Sequence, residues 1–303
     1  MRRYSAALIL VVLISSVVPC IAGSGSKAKT PNMVVQTDWL AAHLNDPSVV
    51  ILHVGRDRTS YDAGHIPSAR LLLLSDIVVT RNGIPNEMPP ADKVKAAFEA
   101  LGVSNDKRVV LYGDMMGLLA SRAYFTLDYL GVGAKAALLD GGLEKWKAES
   151  RPVSREAAKF APARLTIKAR PELIADTAQV QKALSAKATR LIDARPPEEF
   201  AGTKAGDGVP RPGHIPGAKN VFWVENLQSQ QNPVLKPAAE MKASYERAGL
   251  KQGDRPIVYC RTGVQAAHDY FTLKMLGYAP VLYDESFLVW SNTFGTPVET
   301  GWK

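Results

Sequence analysis

The chain of 303 residues is long enough for two domains of ordinary size, each with its own core. Its 46% hydrophobic and 22% charged residues are typical of a globular protein rather than of a disordered one. The net charge of +8 is not arranged in Lys/Arg blocks with interleaved aromatic residues, so we expect no nucleic-acid partner. The modest basic excess favours small anionic ligands or simply a solvated basic surface.

The N-terminus has the layout of a secretory signal peptide. Arg2 and Arg3 precede an apolar run at residues 6–18, and small residues follow near a cleavage point that we place after Ala22. The apolar run is too short to serve as a membrane anchor, and the residues before Cys20 fit lipoprotein processing poorly. We therefore expect residues 1–22 to be removed. The mature protein is expected to be exported, periplasmic or secreted, with no membrane attachment after cleavage.

Cleavage also decides the cysteine count of the mature chain. It removes Cys20 and leaves Cys260 as the one thiol. In an oxidising compartment, an unpaired cysteine is either buried and inert or reactive for a purpose. The sequence has no CxxC pair, no zinc-ligand cluster and no HExxH motif, and its five histidines are scattered. We therefore expect no metal and no cofactor.

The elements predicted for the first half alternate between strand and helix. In chain order they are a helix from Thr37, a strand at 49–54, a loop with two breakers at 61–69, a helix at 91–101, a strand at 108–112, a helix at 118–130, a strand at 136–139 and a helix at 143–148. Strands that alternate with helices imply a parallel sheet that is covered on both faces.

The second half repeats this order, with predicted helices at 177–184 and 237–248 and predicted strands at 190–193 and 256–259. The Gly-His-Ile-Pro loop that contains His65 recurs at His214, 149 positions later, and the tetrapeptide at 124–127 recurs at 270–273. The sequence therefore predicts two similar α/β domains, at 33–151 and 172–303. A linker at 152–171 joins them.

One junction between a strand and a helix carries the cysteine. The apolar run 257–259 ends at Cys260, and the short loop 261–263 leads into a helical pattern. A cysteine there faces the free N–H groups and positive end of a helix, a setting that lowers a thiol pKa and stabilises a bound anion. At the matching point the first half has Gly113 or Asp114, in a loop one residue longer. We therefore expect the chemistry in the second half, with the first half walling the pocket mouth.

Several motifs together resemble the rhodanese sulfurtransferases: the tandem Gly-His-Ile-Pro loops, the Cys-Arg-x-Gly-Val loop after a strand, and the closing Tyr-Asp-x-Ser-x-x-x-Trp pattern at 283–290. The resemblance covers residues 33–300. It implies two tandem rhodanese-like domains, each with a central parallel sheet flanked by helices, and a catalytically silent N-terminal copy. It also implies that Cys260 is the persulfide-forming nucleophile. The substrate-binding loop would then consist of Arg261, Thr262, Gly263, Val264 and Gln265, whose backbone N–H groups surround the sulfur.

The reaction that this resemblance implies is a double displacement. Attack of the thiolate on the outer sulfur of thiosulfate releases sulfite and leaves a persulfide, and cyanide or a thiol then removes that sulfur. Arg261 favours thiosulfate over 3-mercaptopyruvate, because a cation suits a dianion. Two alternatives stay open: a 3-mercaptopyruvate sulfurtransferase, and a persulfide carrier or redox sensor without turnover. A cysteine phosphatase is excluded, because its arginine six residues after the nucleophile is replaced by Ala266.

Other polar residues near predicted strand and helix ends have two readings each. Asp193 and Arg195 follow a buried strand and could line the pocket mouth and bind substrate, or could form a structural ion pair with Glu198 or Glu199. His268 lies about two helical turns beyond the cysteine, and we expect it to be a packing residue rather than a base. The histidines of the repeated loop occur in both halves, which indicates a structural role.

Overall fold

The structure is a computed structural model that describes Met1 and residues 33–186 and 190–302. The predicted signal peptide at residues 1–22 lies outside the described residues, apart from Met1. From residue 33 onward the described chain belongs to one compact unit. None of the described helices is both long enough and apolar enough to cross a membrane.

The first half contains a five-stranded parallel sheet and a separate antiparallel hairpin. Its strands are β1 (Val34–Val35), β2 (Val49–Gly55), β3 (Arg70–Leu73), β4 (Val79–Arg81), β5 (Ile84–Glu87), β6 (Arg108–Gly113) and β7 (Ala136–Leu139). The sheet has the order β1-β7-β6-β2-β3, and β4 pairs with β5 as the hairpin. The helices are α1 (Thr37–Ala42), α2 (Thr59–Ala63), α3 (Leu74–Ile77), α4 (Ala91–Ala100), α5 (Leu118–Tyr129) and α6 (Gly142–Ala148).

The second half contains another five-stranded parallel sheet. Its strands are β8 (Ile174–Ala175), β9 (Leu191–Asp193), β10 (Lys219–Asn220), β11 (Ile257–Tyr259) and β12 (Val281–Tyr283), in the order β10-β9-β11-β12-β8. The helices are α7 (Thr177–Ala186), α8 (Pro197–Ala201), α9 (Ala238–Arg247), α10 (Val264–Met275) and α11 (Ser286–Asn292). The predicted α/β fold, with one helix-flanked parallel sheet in each half, is confirmed.

Matching contacts show that the two halves are structural copies. His65 and His214 each bond a backbone carbonyl through Nδ1, at 2.8 Å, and each stacks on an aromatic ring, of Tyr61 and Phe200 respectively. Both histidines are buried and sit in an isolated bridge to a later segment of the same half. These histidines therefore fix the same turn in each half, as their recurrence in the sequence indicated.

Helices α5 and α10 join the two halves. Tyr124 packs edge-on against Phe271 and Phe125 packs edge-on against Tyr270, each pair with ring centroids 4.8 Å apart. The Tyr270 hydroxyl donates to the Asp128 carboxylate at 2.6 Å. Buried residues of both halves belong to the same apolar cluster around these helices. Burial of this apolar face makes the relative position of the halves part of the fold.

Two segments differ in kind from the regular repeat. The hairpin β4–β5 was not predicted, because its strands are short and its residues show no alternation of apolar and polar side chains. In the predicted linker, residues 155–170 contain no helix or strand. Backbone N–H groups of Ala163 and Lys168 donate to the carbonyls of Glu99 and Leu130, so this segment is bound to the first half.

Candidate active site

The loop between β11 and α10 holds Cys260 at its start. The backbone turns at Gly263, whose φ of +81° is unfavourable for a residue with a side chain. A Cβ on Gly263 would also lie 2.7 Å from Asp284 Oδ1 and 2.8 Å from the Asp284 carbonyl oxygen. Glycine is therefore required here both for the turn and for the close approach of Asp284.

Hydrogen bonds to the start of α11 fix the backbone of Cys260. Its N–H donates to Ser286 Oγ at 3.2 Å, and its carbonyl accepts from the N–H of Phe287 at 2.9 Å. Ser286 in turn donates to the Tyr283 carbonyl at 2.7 Å. The Ser286 backbone has a φ of +56°, so the segment is held in a conformation that a non-glycine residue rarely adopts. These bonds place the thiol at a defined position at the end of the sheet.

The surroundings of the Cys260 thiol act on its pKa in opposite directions. Burial raises the pKa, since the side chain is only 1% exposed, and hydrogen bonds from the backbone N–H groups of Ala266, Thr262, Gln265 and Gly263 lower it. The net effect is a raised pKa, so the lowered value expected from the helix N-terminus is wrong for the resting thiol. The four amides still converge on the sulfur, where they stabilise negative charge as it develops.

A pocket of about 480 Å³ opens in front of this loop. The second half contributes Asp207, Arg261, Thr262, Val264, Gln265 and Leu288 to its lining, and the first half contributes Arg56, Leu74, Pro85, Asn86, Met115, Leu118 and Leu119. Side chains of the first half therefore form one wall of the pocket, as the sequence comparison of the halves suggested.

The predicted loop residues occupy two different positions. Arg261, Thr262, Val264 and Gln265 line the pocket, whereas Gly263 lies behind the loop against Asp284. The Arg261 guanidinium is partly exposed, and its Nη1 lies 3.5 Å from an oxygen of the fully exposed Asp207. An ion pair with so exposed a partner is weak, so Arg261 keeps most of its capacity to bind an anion.

Asp193 and Arg195 do not line the pocket mouth, and that prediction of their position is wrong. Both are buried, and they pair with each other through Arg195 Nη2 and Asp193 Oδ2 at 2.5 Å. Arg195 Nη2 also donates to the Gly213 carbonyl, and its guanidinium covers the Phe287 ring at 4.0 Å. The side chains of Asp193 and Arg195 point into the domain rather than to its edge, so their ion pair belongs to the core beneath the site. Glu199 lies farther from Arg195 Nη1, at 4.0 Å.

His268 is buried in the second half near Trp223. Burial lowers its pKa to about 4, so the imidazole is neutral at physiological pH. It lies in a buried polar cluster with Asn226, Tyr245 and Asp269. Among the described residues, no group of three or more His, Cys, Asp or Glu side chains is placed to hold a metal ion.

An arginine of the first half reaches across to the cysteine loop, and the sequence did not predict it. Arg122 on α5 is fully buried, and its Nη1 donates to Asp284 Oδ1 at 2.5 Å and to the Gly263 carbonyl at 3.4 Å. Its Nη2 donates to the carbonyl of Asn86 in the β5 strand at 2.8 Å. Arg122 thus ties the loop to the hairpin. No local pattern reveals it, because its partners are far away in sequence.

The hairpin touches the loop directly as well. Asn86 Nδ2 donates to Thr262 Oγ1 at 3.1 Å, and the N–H of Met88 donates to Asp284 Oδ2 at 2.7 Å. Both oxygens of the Asp284 carboxylate are therefore used by groups of the first half. The recurrence of an aspartate at the same point of the repeat, Asp140, is the one sequence signal that could have marked this position.

The corresponding loop of the first half carries no thiol, and its Gly113 leaves no room for a side chain. Gly113 follows Tyr112 as Cys260 follows Tyr259, and a Cβ on Gly113 would lie 2.1 Å from the Val54 carbonyl oxygen. The next residue, Asp114, accepts hydrogen bonds from His53 Nε2 at 3.3 Å and from the N–H of Arg56 at 3.1 Å. In the loop of the first half, the neighbouring strand thus leaves no room for a side chain at residue 113, and the next position carries the Asp114 carboxylate.

The fold and the site define a class of tandem-domain proteins. Each domain has a parallel sheet flanked by helices, and one domain carries a thiol in an amide-lined loop at the start of a helix. The model of the rhodanese-like domain matches residues 36–149 and 176–293. The chain belongs to the rhodanese family of sulfurtransferases.

Individual relatives support the assignment over most of the chain. The sulfur carrier protein TtuD of Thermus thermophilus is 36% identical over 89% of this chain and 98% of its own. The thiosulfate sulfurtransferase of Corynebacterium glutamicum is 32% identical over 89% of this chain and 91% of its own. The solved structure of SseA from Escherichia coli, a 3-mercaptopyruvate sulfotransferase, is 29% identical with a TM-score of 0.74, over 84% of this chain and 98% of that one.

Proposed function

We propose that the protein is a thiosulfate sulfurtransferase that stores sulfane sulfur as a persulfide on Cys260. The observation that carries the proposal is the position of the thiol. It lies among four converging backbone N–H groups of a loop whose residues Arg261, Thr262, Val264 and Gln265 line the pocket. Preorganised amide donors and a guanidinium suit a dianionic donor and an anionic leaving group.

In the first half-reaction the thiol loses its proton to solvent and the thiolate attacks the outer sulfur of thiosulfate. The sulfur–sulfur bond of the donor breaks, and sulfite leaves with the electron pair. In the second half-reaction cyanide or a thiolate attacks the outer sulfur of the Cys260 persulfide, and the electron pair of that bond returns to Cys260. The loop amides bind the charged sulfur in both steps.

Replacement of the cysteine tests the proposal. We expect Cys260→Ser to lower thiosulfate-dependent turnover by roughly a thousandfold or more, because the covalent intermediate is lost. The wild-type protein should gain about 32 Da on Cys260 when it is treated with thiosulfate, the mass of one sulfur atom, as measured by mass spectrometry. Full turnover by Cys260→Ser would sink the assignment.

The similarity to a 3-mercaptopyruvate sulfotransferase supports a second donor, and the similarity to a sulfur carrier supports a protein that loads sulfur without turnover. Comparison of kcat/KM for thiosulfate and 3-mercaptopyruvate separates the donors. A steady-state assay with cyanide separates enzyme from carrier, since a carrier would release one sulfur per chain and stop. The burial of Cys260 behind loop residues that line a pocket favours a small acceptor over a docked macromolecule.

We also propose that the chain is exported to the periplasm or secreted after cleavage behind Ala22. The charged and apolar layout of residues 1–22 supports this proposal. The intact mass of the protein recovered from the periplasm or the medium tests it. A protein that keeps residues 1–22 and stays in the cytoplasm would contradict it.

A further inference from the structure

The pocket in front of Cys260 is larger than the proposed donor. Thiosulfate has five non-hydrogen atoms, which fill about 150 Å³ if each water-sized group takes about 30 Å³. The pocket measures about 480 Å³, within the range of sites that bind organic ligands. A donor held at the loop amides therefore leaves most of the pocket open, and that remaining space lies on the side of the first half.

The wall formed by the first half is mainly apolar. Leu74, Pro85, Met115, Leu118 and Leu119 line it, and Met115 is 43% exposed although it is a large apolar residue. Met115 belongs to the loop of the first half that corresponds to the cysteine loop, and its φ of +57° is a backbone conformation with a conformational cost for a non-glycine residue. An adaptable thioether on such a wall fits the carbon body of an organic ligand.

Arg56 adds a second cation to the pocket, on the wall formed by the first half. Its backbone N–H donates to Asp114 Oδ2 at 3.1 Å, and Asp114 is in turn held by His53 Nε2, so the base of the arginine is fixed. The guanidinium Nη2 bonds Met115 Sδ at 3.1 Å. A thioether is a weak acceptor, and a guanidinium has five donors, so the donor capacity of Arg56 remains open to a ligand.

The two arginines of the pocket thus stand on opposite domains. Arg261 belongs to the loop that carries the thiol, whereas Arg56 belongs to the silent half together with the apolar wall. A small dianion at the thiol is served by the loop amides and Arg261. A ligand that also reaches Arg56 needs an anionic group separated from its reacting sulfur by an apolar body.

We propose that Arg56 and the apolar wall of the silent half bind the sulfur acceptor, and that this acceptor is an organic thiol that carries a carboxylate or sulfonate. The inference rests on the proposed sulfurtransferase function. The acceptor thiolate attacks the outer sulfur of the persulfide, the bond to Cys260 Sγ breaks with its electron pair going to Sγ, and the acceptor leaves as an organic persulfide. Arg56 binds the anionic end bidentately during this step.

The test compares two acceptors with the same mercaptoethyl group, 2-mercaptoethanesulfonate with an anionic end and 2-mercaptoethanol with a neutral one, on the full-length mature protein. In a double displacement, kcat/KM for each substrate reports its own half-reaction. We expect Arg56→Gln to lower kcat/KM for the sulfonate about tenfold, the order of one charge-assisted hydrogen bond. The values for 2-mercaptoethanol and for thiosulfate should stay within about twofold.

Arg58→Gln is the matched control. Arg58 lies two residues away, is exposed, and pairs with Asp62 on the helix surface rather than lining the pocket. It should leave all three values unchanged, and Arg56→Lys should restore part of the preference for the sulfonate. Equal losses for both thiols, or a loss confined to thiosulfate, would overturn the assignment of Arg56 to an anionic acceptor.

The same experiment separates this inference from the proposed function. Loading of Cys260 is measured first by intact mass with thiosulfate, and inorganic polysulfide serves as an alternative way to load it. Failure of thiosulfate to load the cysteine would count against the proposed donor alone, because polysulfide-loaded protein still reports acceptor preference. Normal loading followed by discharge that ignores both acceptor charge and Arg56 would overturn the acceptor inference alone.

Discussion

The two halves of the molecule share a fold but differ at the loop that carries the thiol in the second half, and the difference begins at one residue. Strands β6 and β11 end in Tyr112 and Tyr259, each of which accepts a hydrogen bond from the N–H of the isoleucine in the repeated loop. The next residue is Gly113 in one half and Cys260 in the other. Gly113 has no room for a side chain, whereas Cys260 sits in a loop whose amides face its sulfur.

The halves also hold each other in matching ways. Asp284 accepts the N–H of Met88 at 2.7 Å, and Asp140 accepts the N–H of Leu235 at 3.0 Å, so each half reaches over the loop of the other. Among the described residues, the contact of Asp284 is reinforced by a buried arginine, Arg122, and that of Asp140 is not. The comparison indicates that the first half supports the loop of Cys260 and forms one wall of its pocket.

The strongest test of this comparison places a thiol in the corresponding loop of the first half. We expect Gly113→Cys in a Cys260→Ser background to recover no turnover, which leaves the loss of roughly a thousandfold in place. The added Cβ would clash with the Val54 carbonyl, 2.1 Å away, and should destabilise the fold by about 1–3 kcal/mol. Turnover assays and urea unfolding check both expectations.

Met115→Cys in the same background is the control for this experiment. Residue 115 is exposed on the silent loop, so its thiol should react with a thiol reagent without disturbing the fold. It should also give no turnover, because the side chain at residue 115 is exposed to solvent, whereas the Cys260 thiol is enclosed among loop amides. Recovery of activity by either variant would show that the two loops are more alike than the structure indicates.

The second test of the comparison between the halves concerns Asp284 and Asp140, the aspartates at matching positions. Asp284→Asn leaves Arg122 buried without its charge partner, and we expect it to lower the free energy of unfolding by about 3–5 kcal/mol. Asp140→Asn replaces one of two accepting oxygens by a donor, which removes one hydrogen bond and no buried ion pair, so about 1 kcal/mol is expected. Urea unfolding measures both, and persulfide loading should slow only in Asp284→Asn. Equal effects would contradict the special role of the Arg122 contact.

The smallest expected effect is the pH dependence of the thiol. Because burial raises the pKa of Cys260, its thiolate fraction at neutral pH is below that of a free cysteine and rises about tenfold per pH unit until the pKa is reached. Alkylation of the wild-type protein by iodoacetamide should therefore speed up from neutral into alkaline pH. A rate that is already constant at pH 7 would show that the amides outweigh burial.

Protein stability should also depend on the ionisation of Cys260, and it should fall with rising pH where the alkylation rate increases. The folded state resists ionisation of Cys260, so stability is full below the ordinary thiol pKa and is lost as pH rises from that value through the raised folded one. Urea unfolding across this range should show the loss in the wild type. Cys260→Ser should lack it, which makes this variant the control.

Much of the fold could be predicted because it rests on local pattern and repetition. The strand at 136–139 agrees residue for residue with β7, and the helix at 118–130 differs from α5 by one residue at its end. Short elements without periodicity, such as the β4–β5 hairpin, could not be predicted. In the site, the residues next to Cys260 were found from the sequence, whereas Arg56 and Arg122 were not, because they come from the other half.

The sequence by itself determined the family, the duplication and the presence of a thiol in only one of the two copies of the loop. Each of these depends on the order of residues along the chain. The tertiary structure decided the position of Asp193 and Arg195, the raised pKa of the thiol and the wall of the pocket. These depend on burial and on contacts between residues more than a hundred positions apart, such as Arg122 and Asp284. Only folding brings such groups together and removes them from water. That determines which groups are in contact and shifts the pKa of those that ionise.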